Sequence, residues 1–455
     1  MVEAGAAVDI RGRYTQRCQA ALATALDGTP LYASWRGKDP GPSYDLDGRF
    51  AALPILSKDD IRAHFPYGLV PRGKDLDAAL ARGEVSFVRT SGTVEEVLEN
   101  IWCQAWWDAS ERSSWALNAA AARVAAGVGG GGPGAGTRRG PHPFREAILA
   151  SALSVGPRSA GAPLPTSERR LGRFLFLNEY GRTEQWPDGH ERRMAAELAE
   201  YQPDVLEANP SLLARLSRWA AREGVALRQP ALVTLTYEYA SELHLRAIRS
   251  VFSCPVASSY GSTEAGYVFM ECEKGRLHQN TESCRVDLVP FGDSGPGVGP
   301  DGLGRIVATT FGNPWFQLLR FEVGDVGRLA AAPCACGRGF GMTLTAIEGR
   351  TGSVCVAENG ALLTHRCIDL ALAGVPGLEQ YQVEQEAPRL VRCSVVAEEP
   401  AVAGRVTTGA REALSALFGR GVRIHVTEAP LLVPGPSGKY LLVRRAFALE
   451  DSIHG

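Results

Sequence analysis

The chain has 455 residues, 45% of them apolar and 22% charged, the mix of a globular protein with length for two or three domains. Lys and Arg number 48 against 50 Asp and Glu, a net charge of −2, which argues against a nucleic-acid or membrane-surface partner. No apolar run reaches the roughly 18 residues of a membrane span, the start lacks a signal-peptide pattern, and ten scattered cysteines are not a disulfide framework, so a reducing, cytoplasmic compartment is expected.

In chain order, residues 11–37 predict a helix and then a loop, because RCQAALATAL has helical apolar spacing and DGTP ends it. In LPILSKDDIRAHFPYGLV, Ser57 is placed to cap a helix that opens on two aspartates. EVSFVRTSGT (84–93) predicts a short buried strand running into a Ser/Thr/Gly turn, and 94–126 one or two long helices carrying Trp102, Trp106 and Trp107. The glycine run GVGGGGPGAG resembles a phosphate loop only in composition. No Gly-Lys-Ser/Thr follows it and it contains a proline, so it predicts a flexible loop over about 127–140.

Beyond that loop, strand and helix patterns alternate. Strands are expected at 173–180, 231–237 and 254–260, and helices at 191–201, 210–224 and 241–252. Alternation of this kind predicts an α/β domain with a largely parallel sheet, whose strand ends commonly carry the ligand crevice. Past Cys284 the strands shorten and glycines multiply. After IEGRTGSVCV (347–356) come a helix at 366–374, strands at 379–386 and 389–397, a helix at 403–418 and a strand at 422–427. This predicts a compact α+β module of about 100 residues.

Four segments at strand ends or turns stand out together: FVRTSGT, SSYGSTEAG, LLRFEVGDVGRL with IEGR, and PGPSGKY. In their order and spacing the chain resembles the adenylate-forming superfamily, and most closely its phenylacetate–coenzyme A ligase branch. LPILSKDDIRAHFPYGL and DVLEANPSLLARLSRWAAREG are similar to segments of that branch; the glycine run is not covered by the resemblance. The resemblance implies a large N-terminal adenylation domain with mixed and parallel sheets (1–348) and a small, mobile α+β C-terminal domain (349–455). It further implies ATP-dependent activation of a carboxylic acid to an acyl-adenylate, followed by transfer to a thiol of coenzyme A or a carrier-protein phosphopantetheine arm. A homodimer would fit the family.

Carried onto this chain, the resemblance makes Thr90, Ser91, Gly92 and Thr93 the phosphate cradle. Tyr260 and Gly261 would lie against the adenine of ATP or AMP, Thr263 would bond a phosphate, and Glu264 would help to hold magnesium. Asp325 would accept from the ribose hydroxyls with Arg350 nearby. Lys439, on a glycine-rich turn, would bridge the acid and the α-phosphate. The chain departs from the pattern in three places. Glu95 and Glu96 stand where a glycine and a lysine usually follow the cradle, Thr351, Gly352 and Ser353 replace an acidic pair at the hinge after Gly349, and Val323 replaces a threonine. Carboxylates beside a triphosphate repel it, by about 1 kcal/mol per pair in water.

Cys272 and His278, with Cys334 and Cys336 of PCACGRG, make a Cys3His set of the kind that zinc favours in closed structural sites, and the related branch carries a similar arrangement. Cys284 is an alternative ligand. Tyr237 and Tyr239 end a strand beside the expected site, and with the tryptophans they could line a pocket for an aryl acid; core packing is the plainer use for Trp102 and Trp106. An aryl or arylacetic acid is implied by the resemblance alone, and no basic residue in the sequence announces itself as partner for a second carboxylate. Two other readings stand beside the acid–thiol ligase: a related ligase that hands the adenylate to a nitrogen nucleophile, and a catalytically silent binding protein that keeps the fold.

Overall fold

The structure is a computed structural model that describes residues 9–90, 97–127, 144–291, 298–299, 301–435 and 437–449. The chain packs into two compact units. One comprises Met1–Ala122, Ser259–Val323 and Gly327–Ala346; the other Arg123–Ser258, Gly324–Val326 and Ile347–Gly455. Among the described residues no helix is long and apolar enough to cross a membrane.

In the first unit, the helix Ile10–Ala23 and the helix Lys58–His64 form where sequence spacing places them, the second with a full capping box between Ser57 and Asp60. The long helix expected over 94–126 is interrupted. Glu99–Trp102 is a strand, paired antiparallel with Ser86–Arg89, and helices follow only at Gln104–Trp115 and Ala119–Ala125. Local helical spacing yields here to a ladder that buries Asn100 and Ile101. The unit's sheet is antiparallel: the end of Val256–Ser262 pairs with Gly266–Glu271, which pairs with Leu277–Gln279, which in turn meets the start of Thr343–Arg350. Cys284–Val289 pairs with Leu303–Thr310 in the same sense.

The second unit holds the parallel sheet that the alternating pattern predicts. Glu146–Leu149 lies between Phe174–Phe176 and Val205–Ala208; Leu232–Leu235 follows, then the start of Val256–Ser262, all parallel. Every residue of Glu146–Leu149, Val205–Ala208 and Leu232–Leu235 is buried, as expected of strands covered on both faces. The helices His190–Tyr201, Pro210–Glu223 and Glu242–Arg249 connect them, and Leu198, Leu206, Leu213, Leu216, Val233 and Ile248 share one core.

The same unit contains a four-stranded sheet. Leu378–Ala387 and Leu390–Ala397 form a hairpin, Arg423–Glu428 lies parallel to the second, and Val443–Arg445 parallel to the first. The helices His365–Ala373 and Ala403–Phe418 cover it, through a core that includes Ile368, Leu372, Val406, Leu414 and Phe418.

Candidate active site

The C-terminal ends of the parallel strands carry the polar side chains of the second unit. Ser151 follows Glu146–Leu149, the segment 178–183 follows Phe174–Phe176, and Glu238 follows Leu232–Leu235. Asn178 spans the first two by donating to the carbonyls of Ala150 and Tyr180 at 2.7 and 2.8 Å. Behind it Arg193 grips the buried Glu179 with two bonds of 2.8 and 2.6 Å, and Arg169 reaches Glu197 and the Phe176 carbonyl. Burial works against a charged Glu179, yet the Arg193 bond and the fields of Arg193 and Arg169 hold its carboxyl below the usual range.

Lys439 sits on this platform. Its carbonyl accepts from Gly435 at 2.9 Å, closing a tight turn, and Gly438 has φ +75°. The neighbouring residue Tyr440 donates its N–H to Glu238 Oε2 at 3.2 Å, and its hydroxyl meets Thr183 Oγ1 at 3.0 Å. Glu238 is further held by Ser211, whose N–H donates to Oε1 at 2.9 Å. Burial raises the Glu238 carboxyl, opposed by the Ser211 bonds and the charge of Lys439. Gly438 lies so close that a Cβ would fall 2.2 Å from Ser151 Oγ and 2.8 Å from the Gly181 carbonyl. Gly438→Ala is therefore expected to lift the lysine turn and to lower any Lys439-dependent turnover by about a hundredfold. Because Gly438 and Ser151 are both buried, some loss of melting temperature should accompany it, and a variant with full turnover would refute the placement.

Asp325 and Arg350 are brought together in the same unit, Nε to Oδ1 at 3.9 Å, and Thr351 Oγ1 donates to the Gly324 carbonyl at 3.1 Å. In the first unit Tyr260 lies in the strand Val256–Ser262 opposite Phe269, with a register shift at Gly261. A Cβ at Gly261 would stand 2.3 Å from the Gly266 carbonyl, so only glycine fits there. Thr263 and Glu264 form the turn that follows. Glu264 is 6% exposed and has no hydrogen-bond or ion-pair partner among the described residues. Thr90 is described: its N–H and Oγ1 both bond Leu98, closing the base of the hairpin. Ser91, Gly92 and Thr93, with Glu95 and Glu96, lie outside the described residues, as does nearly all of the glycine run.

Cys272, His278, Cys334 and Cys336 converge in the first unit, with ligand atoms within 4.8 Å of one another. Cys272 Sγ is 3.7 Å from Cys334 Sγ, and Cys336 Sγ is 3.2 Å from His278 Nε2. The other ring nitrogen of His278 lies 3.3 Å from Thr343 Oγ1. Cys284 is not part of the set; it is fully buried beside the Asn280 carbonyl and is not a ligand alternative.

No protein-family model matches the chain. A phenylacetate–coenzyme A ligase of Thermus thermophilus is 23% identical over 385 residues, 82% of this chain and 78% of that protein. Among solved structures, a 2-hydroxyisobutyryl-CoA ligase in its postadenylation state with R3-HIB-AMP superposes with TM-score 0.67 at 18% identity, over 96% of this chain and 88% of that one. The chain thus has the fold of that ligase. A further structure with this fold, the amide bond synthetase McbA of Marinactinospora thermotolerans, matches with TM-score 0.50 at 16% identity, over 81% and 70% of the two chains.

Several residues of the site escaped sequence reasoning. Glu238, between Tyr237 and Tyr239, is the anchor of the lysine turn; its position just past a buried strand was the available signal. The aromatic residues are committed to packing. Trp107 sits 4.4 Å from Trp102 and 5.0 Å from Tyr267, and Trp106 donates to the Phe311 carbonyl at 2.8 Å. Tyr239 stacks on His365 and donates to Asp369 Oδ2 at 3.3 Å, while Tyr381 donates to Asp369 Oδ1 and the Glu242 N–H to Oδ2, at 2.8 and 2.9 Å.

Burial lifts the Asp369 carboxyl to about 6, against the pull of those donors and with the charge of Glu242 adding to the rise. A raised value in the folded state means stability that is present below the unfolded value, near 4, and is lost as pH climbs through about 6. Asp369→Asn keeps the shape and cannot ionise. Its stability relative to the parent is thus expected to rise between pH 4.5 and 7.5, by roughly 2 kcal/mol. Paired thermal melts at the two pH values measure this; a difference that does not change with pH would contradict it.

Proposed function

We propose that the protein activates a carboxylic acid with ATP and passes the acyl group to the thiol of coenzyme A. The observation that carries the reading is the lysine turn: Lys439 is held by Gly438, Glu238 and Thr183 on the crevice end of a parallel sheet, where a reacting group of this fold class would lie. The relative's name and the neighbour's adenylate complex support it. An acid oxygen bonds to the α-phosphorus while the bond to the β-phosphate oxygen breaks, releasing pyrophosphate. The thiol then bonds to the acyl carbon and AMP leaves with the former acid oxygen.

Negative charge grows on the phosphate and acid oxygens in the first step, so a cation set in advance lowers the barrier. Lys439 supplies it, with Glu238 fixing the backbone beside it. Asp325, steadied by Arg350, is suited to accept from ribose hydroxyls, and Tyr260 with Gly261 to face the adenine. Thr263 and the cradle Thr90–Thr93 are assigned to phosphate. Glu264 fits magnesium, since its carboxylate has no partner among the described residues and offers the oxygen ligands that a hard cation takes. When bound, that ion neutralises phosphate charge.

The Cys3His cluster fits structural zinc. Zn–S bonds of about 2.3 Å in a tetrahedron place sulfurs about 3.8 Å apart, and with nitrogen at about 2.0 Å the S–N spacing is about 3.5 Å. The observed 3.7 and 3.2 Å are close to both. Four protein ligands leave no open position, so the ion's chemistry is to cross-link. We assign residues 349–455 to the module that carries the lysine.

Acid-dependent exchange of pyrophosphate into ATP, over aryl, arylacetic and aliphatic acids, tests the first step. Product mass after adding coenzyme A tests the second. Exchange without thioester, but with amide when an amine is supplied, would move the assignment to a nitrogen acceptor. Absence of exchange from folded protein with every acid would leave a silent binder.

A further inference from the structure

A cavity of about 260 Å³ opens beside the lysine turn, lined by Leu153, Arg158, Gly181, Arg182 and Gln185. Its place relative to Lys439 follows from two contacts. Gly438 abuts the Gly181 carbonyl and Tyr440 reaches Thr183, so Arg182 lies level with Lys439. The backbone of the lysine turn thus runs beside the wall that carries Gly181 and Arg182.

Neither Arg158 nor Arg182 has an ion-pair partner among the described residues. Of the carboxylates closest in sequence, Glu179 is taken by Arg193 and Glu197 by Arg169, while the exposed Glu184 shares the turn with Arg182 without pairing to it. The wall itself is stiff, because the Glu179–Arg193 pair and the Asn178 bonds pin the segment that carries Gly181 and Arg182. Both arginines are exposed, so water screens their repulsion, and each guanidinium is free to turn toward an anion that enters the cavity. A guanidinium holds a carboxylate with paired, charge-assisted hydrogen bonds, which makes arginine the residue suited to that task.

Size narrows the occupant. At about 30 Å³ per water the space equals about nine waters, below the 300–1,000 Å³ of sites for drug-sized ligands. It suits the far end of a small acid whose reacting carboxylate lies at Lys439. We propose that Arg158 and Arg182 select an acid bearing a second anionic group, a carboxylate in the simplest case, and that the cavity holds that group. This rests on the acid-activating reading and adds the substrate class to it. No step of the chemistry changes: the second carboxylate remains ionised and is not transferred.

The test compares matched acids in pyrophosphate exchange, glutarate against valerate and phthalate against benzoate, with the full chain and with Arg158→Gln, Arg182→Gln and the double variant. A preference of at least about tenfold for the diacid is expected, lost in the double variant through the KM of the acid while the KM for ATP holds. Arg182→Lys should restore it only in part, since an ammonium lacks the paired geometry. Monoacids preferred by the parent, or arginine variants that leave the acid KM alone, would overturn the proposal. Variants that instead raise the KM for ATP or coenzyme A would overturn it too, by giving the arginines to a phosphate. Should no acid support exchange, the acid-activating reading fails by itself, and calorimetric titration with glutarate decides the cavity. Binding that the double variant abolishes retains the anion site; absence of binding removes it.

Discussion

Lys439→Ala is expected to lower acid-dependent pyrophosphate exchange by about a hundred- to a thousandfold, the loss seen when one preorganised group that meets developing charge is removed. The backbone bonds that close the turn do not involve the lysine side chain, whose charge is nonetheless felt by the buried Glu238. The turn is closed by backbone bonds from Gly435 and Gly438, and it is docked through Gly438 and Tyr440. The variant should melt as the parent does and should still bind nucleotide. Lys38→Ala, at an exposed position in another part of the chain, should exchange normally. Glu238→Ala should fall between them: the lysine remains, but its neighbour Tyr440 loses the carboxylate that fixes the backbone. Full exchange in Lys439→Ala would mean that charge on the phosphate is met by another group, and the reading of the lysine turn would have to go.

Purified protein is expected to contain one zinc ion per chain, measured by elemental analysis, and Cys272→Ser or Cys336→Ser should abolish it. Metal bound by a Cys3His set contributes on the order of 10 kcal/mol in small domains. Here the strands Gly266–Glu271 and Leu277–Gln279 already pair, so part of the local structure survives without the ion. A fall in melting temperature of about 10 °C is a reasonable expectation for the loss of several kcal/mol. The same fall should follow extended treatment with a chelator and be reversed by zinc. Cys284→Ser should retain the full metal content, since that thiol lies outside the cluster. Metal-free protein of unchanged stability would leave the four side chains as a packed cluster only.

Much of the architecture was legible in the chain, where short-range rules apply. The helix 403–418 is observed over the same residues, Ser57 caps as its spacing indicates, and the run of alternating strands and helices from 173 to 260 becomes the parallel sheet. Motif segments at strand ends marked Lys439, Asp325 and the turn at 260–264 before any fold was known. Where sequence reasoning went astray, a partner distant in the chain decided the outcome. Glu99–Trp102 reads as helix by itself and becomes a strand because Ser86–Arg89 lies beside it. Trp102 and Trp107 meet each other and Tyr267, the packing use that the sequence already favours for Trp102.

The amino-acid sequence by itself determined the local elements, the family pattern and the residue types that the chemistry needs, because periodicity, caps and motif spacing act over a few neighbours. It also marked four zinc-type ligands as one Cys3His set, which the structure brings together. Tertiary structure alone decided that Cys284 stands apart from those ligands, that Glu238 rather than a nearer residue anchors the lysine turn, and that Arg158 and Arg182 share one cavity. Each of these depends on groups far apart in the chain arriving within a few ångströms of one another, and no spacing rule carries that distance.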